Sequence, residues 1–565
     1  MHTSLRALLL LALSILLVPG CGAAVSRART SGGAARAGSA SIDSASSQFP
    51  TRADLQQASA TTPTHAPREA DTGAVVDRWE IDPVSLAAQP GAFEAVATSL
   101  AAAGSTVTPA ARCTAREVAR FAAAHGTLPN DYLRDYLGAR CGITAGSFAV
   151  AIHGWRVTGM SEAEVAAQQT SAVESGFRPH VSAGSRIGVA SAAAGDQLVV
   201  ALVIEGRAPL ALSLPAALSP VDGHVRFGGA FDAPHAEVVA LASHGASAVE
   251  RCAVLDVAGR LDVDCPIAAS DDVAWISVSY RADGGVLLRG AASLLVVARP
   301  DAGLVYEERA IEVGANGSVE ARMLEGINRV RASLGLGPAT LAAAQSAANA
   351  EAMSVYLDSG DPQLEESAIL YAMAGWDVQG VVAHGSAYAF ALPATTDPGR
   401  WVAYVMQHPL QRWGLLHPDI SQIAIGTSMG ESGSARGVMI GVYSMMSAPD
   451  PAAERARVLA AIQRARGEAG LPQVAQLGPY PSLAARAALI SSGRALPSEA
   501  LDALARDGAH MQGADGVAVL ITQDLDTVTL DGTLRAARAL DVAVAHHRPE
   551  GSAWGFYVVL VATAR

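Results

Sequence analysis

The residues best suited to chemistry lie between Trp401 and Met446, in His408-Pro-Leu-Gln-Arg412, Leu415-Leu-His-Pro-Asp419 and Gly426-Thr-Ser-Met-Gly430. An imidazole titrates near neutral pH and ligates metals, so His408 and His417 are candidate acid-base or ligand groups. The third segment matches the Gly-x-Ser-x-Gly pattern of serine hydrolases, which needs a strand, a sharp turn exposing the serine and then a helix. Only the strand is legible. A Gly/Ser loop and a second apolar run, Val438 to Val442, follow Ser428, so a two-stranded hairpin is expected and a nucleophilic serine is not. His546-His547 is expected in the turn of a similar hairpin.

These groups need a scaffold, and 565 residues are too many for one core. At roughly 100 to 150 residues each, three to five domains are expected. The net charge is −13, lysine is absent and the arginines are scattered, which excludes a nucleic-acid surface, because phosphate binding needs a clustered basic face.

Residues 1–20 carry Arg6, an apolar run from Leu8 to Val18 and then Pro19-Gly20, a pattern too short to span a membrane and read as a secretion signal. Because Cys21 follows a small residue, the segment resembles a bacterial lipoprotein signal, in which that cysteine is lipidated; an ordinary signal peptide cut nearby is the alternative. The resemblance implies a lipid-anchored cell-envelope protein, of the bacterial outer membrane and facing periplasm or surface, whose first partner is the membrane. Residues 21–80 are poor in large apolar side chains and are expected to form a disordered tether. The other four cysteines form two groups, Cys113 with Cys141 and Cys252 with Cys265. In an exported protein they read as disulfides, with the local pairing favoured among three connectivities.

Residues 82–206 read as α/β: a helix around Glu117 to Ala124, a second helix capped by Asn130 or Asp131, a strand at Phe148 to His153, a helix from Ser161 to Val173, and a hairpin from Ile187 to Ile204. Residues 207–313 change to short β runs, including Val225 to Phe227, Glu237 to Leu241, Val273 to Tyr280 and Ser293 to Val297. Trp275, Ser277 and Ser279 alternate with Ile276, Val278 and Tyr280, as in a strand with one buried face. An inserted all-β, Ig-like sandwich is expected there. Residues 320–447 begin with a helix that buries Met323, Ile327 and Val330 and stops at Gly335. A helix from Leu341 to Leu357, a strand from Ser386 to Leu392, a helix from Trp401 to Arg412 and the hairpin complete that unit.

Ile327-Asn-Arg-Val-Arg-Ala-Ser-Leu-Gly-Leu, the Ala-rich helix through Met353 and the segments from Trp401 to Gly426 resemble the bacterial branch of the CAP superfamily, which groups cysteine-rich secretory, antigen-five and pathogenesis-related proteins. The resemblance covers about 125 residues and implies an α-β-α sandwich. Arg322 to Leu336 also overlies Arg457 to Leu471 at a constant offset, matching Ile327 with Ile462, Arg331 with Arg466 and Gly335 with Gly470. Residues 450–565 are therefore read as a degenerate repeat and residues 82–206 as a third CAP-like unit. The fold class expected is α+β, with tandem CAP-like units around the sandwich.

The resemblance implies a cleft lined by two His and two Glu, fit for a divalent cation or acid-base work. One of those histidines falls on Gln411, and the region of Ala383-His384-Gly385 offers no carboxylate. Leu534 is expected opposite Gln411 in the last repeat. His384, His408, His417, Glu365 and Glu366 remain nearby; with Gln411, His384, His408, Glu365 and Glu366 are the candidate ligand-binding residues. The glutamates are expected on a solvated edge, and His417 is expected to serve the free carbonyls of a helix end. No catalytic residue, metal or cofactor is assigned. The expected function is a non-catalytic binding or architectural module for a lipid, a wall polymer or a protein. The alternative is a divergent metal-dependent or hydrolytic enzyme using His384 and His408.

Overall fold

A computed structural model describes the short strands Ile15–Leu16 and Arg27–Thr30 and the chain from Phe49 to Ala564, apart from stretches of at most five residues. The signal segment, apart from Ile15–Leu16, and the lipidation site Cys21 lie outside the described residues. The protein is mixed α and β, in the α+β class.

Three sheets share one strand order. In the first, Thr106–Val107 runs parallel to Arg186–Ala194, which forms a hairpin with Gln197–Glu205, and Phe148–Arg156 lies antiparallel on the far edge. The same arrangement holds for Thr340–Leu341, Ile420–Met429, Ala435–Met445 and Val382–Ala391. It holds again for Ala475–Gln476, Ala539–His547, Phe556–Ala564 and Gly516–Thr522. We call these the first, middle and last units.

Local chemistry sets the helices that flank the sheets. Asn130 caps Asp131–Cys141 by accepting from the Leu133 amide, and Gly335 takes φ +73° just beyond Val319–Ser333. Gly188 and Gly426 occupy the first hairpin strand of their units where a helix crosses at close range. A Cβ at either position would come within 2.1 Å of the backbone of that helix, at Ala111 and Ala350 respectively. Asn328 clasps Ala339 by two hydrogen bonds, Nδ2 to the carbonyl at 2.9 Å and amide to Oδ1 at 2.8 Å. Gln463 clasps Val474 in the same way, at 2.7 and 3.1 Å.

Between the first and middle units, two antiparallel sheets share one apolar core. Val225, Phe227, Leu261 and Val263 come from one sheet, and Ala240, Ile276, Val278 and Leu294 from the other. The expectation of one buried face on Val273–Ala282 is corrected: Ile276 and Val278 enter this core, while Trp275 on the opposite face packs with the first and middle units. Cys113–Cys141 and Cys252–Cys265 are bonded, the local pairing.

Two further expectations change. The tether contains the helix Arg52–Thr61, docked through buried Leu55 and an Arg52–Glu351 ion pair at 2.7 Å, and a strand, Arg78–Glu80, paired with Val305–Glu307. One buried leucine and one ion pair thus anchor a sequence that composition alone reads as solvated. The single helix from Trp401 to Arg412 is two, Pro398–Val405 and Pro409–Leu415. His408 is extended between them (φ −85°, ψ 117°), as the residue before a proline prefers. No helix among the described residues is long and apolar enough to cross a membrane.

Candidate functional site

The Pro409–Leu415 helix lies over Val382–Ala391, where Gly414 leaves room for Tyr388. The candidate histidines have different surroundings. His408 packs its ring against Trp275 (centroids 5.4 Å apart) and Tyr404 (4.7 Å). His384, at the start of the strand, faces His417 instead: His384 Nε2 and His417 Nδ1 are 3.4 Å apart, with the rings edge to face.

His408 borders a cavity of about 90 Å3 where the first unit, the two-sheet region and the middle unit meet. Phe148, Trp275, Phe390 and Tyr404 supply aromatic wall, and Ser279, Ser293 and Gln411 supply polar groups. The Tyr404 hydroxyl donates to Asp135 Oδ2 at 2.5 Å, and its ring stacks on Tyr132 at 3.9 Å, joining the middle unit to the first. Burial, then the Asp135 charge, push the Tyr404 phenol far above its ordinary range. Burial holds the His408 imidazole down at about 4, so the ring is neutral at pH 7. Three polar atoms at this junction are shut off from solvent without a protein partner: His408 Nε2, Ser279 Oγ and Ser293 Oγ. Groups of this kind are normally satisfied by water or by a ligand.

A second cluster joins His384 and His417, both among the residues expected nearby, with Asp419, which was not expected there. Side-chain ligand atoms of His384, His417 and Asp419 all lie within 4.8 Å of one another. His384 is buried, His417 half-buried and Asp419 exposed. Burial, with the neighbouring His417, lowers the His384 pKa to about 4; burial also lowers that of His417, and Asp419 and Asp524 oppose both shifts. Spatial neighbours drawn from a strand start and a helix end carry no local sequence signal. Of the three, Asp419 is the residue that the sequence left unassigned.

The remaining candidates are placed as follows. Glu365 is buried, which corrects its expected place on a solvated edge, while Glu366 pairs with Arg289 of the two-sheet region at 2.6 Å. Both belong to the helix Leu364–Met373, whose apolar face packs in the middle unit. His417 does not serve the helix-end carbonyls; buried Arg331 does, donating to Leu415 and Ile420 at 2.7 and 2.9 Å and to His417 at 3.1 Å. In the last unit Arg466 donates to the Leu534 carbonyl. Leu534 therefore stands opposite Leu415, and its expected match to Gln411 is corrected. Ser428 is buried within Ile420–Met429, bonded to Ser354 and Arg436 at 3.0 Å each, with no exposed elbow. His546 and His547 close the strand Ala539–His547 and do not form a turn; His546 Nε2 contacts Glu454 at 2.6 Å.

The His/Glu set that the CAP resemblance implies does not fit these residues. Gln411 is buried at the His408 cavity, and its amide is neither a base nor a good metal ligand. No family profile and no curated protein matches the chain. Among solved structures, a cysteine-rich secretory protein from Staphylococcus aureus subsp. aureus Mu50 is similar over 40% of this chain and 83% of that one, at 11% identity and a TM-score of 0.18. A likeness this slight is a loose hint of the CAP fold and carries no argument.

Proposed function

We propose that this is an exported, lipid-anchored envelope protein in which three CAP-like units and an Ig-like sandwich form a non-catalytic binding module. The observation that carries the reading is the cavity at the three-way junction, where aromatic walls surround the unpartnered His408 Nε2, Ser279 Oγ and Ser293 Oγ. The enclosed space is small, so such a lining suits the inserted apolar tip and a few polar atoms of an amphiphile, with the rest of the molecule outside. The repeated strand order and the matching clasps at Asn328 and Gln463 favour copies of one unit, used as scaffold around that junction.

The test uses the full chain released from membranes in mild detergent. Native mass spectrometry should find a retained small molecule, and acyl or wall-fragment probes should quench tryptophan emission through Trp275. Gly290 borders the cavity and has open space where a Cβ would stand, so Gly290→Phe should block entry and abolish the quenching. Equal binding by the blocked variant removes the cavity from the reading. The anchor is tested separately: Cys21→Ser should move the protein from the membrane to the soluble envelope fraction.

A further inference from the structure

We propose that His384, His417 and Asp419 form a binding site for a divalent transition-metal ion of zinc type. The site is independent of the cavity. His384 Nε2 and His417 Nδ1 stand 3.4 Å apart. This is long for a hydrogen bond between nitrogens, which centres near 3.0 Å. It does match two nitrogens at about 2.0 to 2.1 Å from one tetrahedral ion, which geometry sets roughly 3.4 Å apart. The other contact of that Nδ1 is similarly long: the Asp419 amide lies 3.3 Å from it. Both hydrogen bonds to this nitrogen are long, so an ion competes with two weak ones.

Asp419 adds a carboxylate oxygen within 4.8 Å of both imidazole ligand atoms. Two imidazoles and one carboxylate, one histidine buried and the acid exposed, make a three-ligand set with an open position, the donor chemistry of zinc and its neighbours rather than of magnesium or calcium. Asp524, from the last unit, is close enough to act electrostatically on both imidazoles. An ion here would thus sit beside the seam where Val382 exchanges backbone bonds with Ala553 and Gly555.

The experiment titrates the chelator-stripped full chain with zinc alone by calorimetry, and with cobalt(II) by visible absorption. The expected results are one equivalent of zinc bound, a higher thermal midpoint with zinc present, and the intense bands of tetrahedral cobalt. His384→Ala and His417→Ala should each weaken zinc binding at least tenfold. Asp419→Asn, an exposed change that leaves the core intact, should weaken it several-fold and alter the cobalt bands. His546→Gln should leave binding unchanged, which separates this cluster from the His546–Glu454 pair. Binding by the wild type no tighter than by His384→Ala/His417→Ala, or cobalt bands unaltered by Asp419→Asn, overturns the proposal.

Discussion

Arg331 and Arg466 make matching bonds in the middle and last units: Arg331 Nε donates to the Gly337 carbonyl at 2.8 Å, and Arg466 Nε to the Pro472 carbonyl at 2.9 Å. Each guanidinium is buried and also reaches the carbonyls that end the next short helix, Leu415 in one unit and Leu534 in the other. A single side chain thus ties the first helix of a unit to the entry of its hairpin. Arg331→Met should cost about 3 kcal/mol or more in urea unfolding, because several buried carbonyls lose a charged donor together. Arg466→Met should have an effect of similar size in its own unit. A loss under about 1 kcal/mol in both would mean that water replaces the guanidinium without penalty.

His408 predicts an acid limb. Its folded pKa, about 4, lies below the unfolded value near 6.5, so the neutral ring contributes its full stability above the unfolded value. That contribution is lost as pH falls from about 6.5 towards 4, up to about 3 kcal/mol for a shift of this size. Urea midpoints measured across that window should fall for the wild type and fall less for His408→Phe. His384 adds a share of the same sign, so the variant's limb flattens without vanishing. Identical limbs in the two proteins would show that the cavity hydrates the charged ring.

What was legible in the sequence was local. Asn130, Gly335 and the hairpin at Ile187 to Ile204 declare themselves through capping, a left-handed turn and alternation, all within a few residues. Arg331 and Arg466 each bond a carbonyl six residues further on, a spacing that is also local in the sequence. What escaped depends on distant packing. The cavity needs Trp275, Asp135 and His408 from three regions of the chain, and Trp275 reads as a strand's solvent face until a neighbour covers it. The helix break at Pro409 was available from the sequence, because the residue before a proline resists helical backbone angles.

The docked helix Arg52–Thr61 should release as a unit. Leu55 is 1% exposed, and Phe49 stacks on Trp554 at 5.6 Å, so the helix is held by two apolar contacts and the Arg52–Glu351 pair. Leu55→Asp places a charge against the middle unit's apolar core and should release the helix with only a small loss in the main unfolding transition, since the other side chains of that core come from the unit itself. Limited trypsin digestion should then cut at Arg52 much faster than in the wild type. Equal cutting rates would place the helix outside the stable fold.

The two disulfides should differ in worth and in effect. Cys113–Cys141 spans 28 residues and joins two helices of the first unit, and Cys252–Cys265 spans 13 and lies in the core of the two-sheet region. Chain entropy assigns the longer loop about 3.6 kcal/mol and the shorter about 2.9 kcal/mol. The double variants Cys113→Ala/Cys141→Ala and Cys252→Ala/Cys265→Ala should therefore both lower the denaturation midpoint, the first more. The first should also loosen the cavity, because the helix Asp131–Cys141 carries Asp135, the acceptor for Tyr404. Tryptophan emission from Trp275 reports that loosening: a red shift is expected in the Cys113/Cys141 variant before global unfolding. Loss of the Cys252–Cys265 bridge should shift that emission less, since the bridge lies in the core between the two sheets, which the opposite face of the Trp275 strand lines. A larger shift from the second pair would assign the support of the cavity to the two-sheet region and away from the first unit.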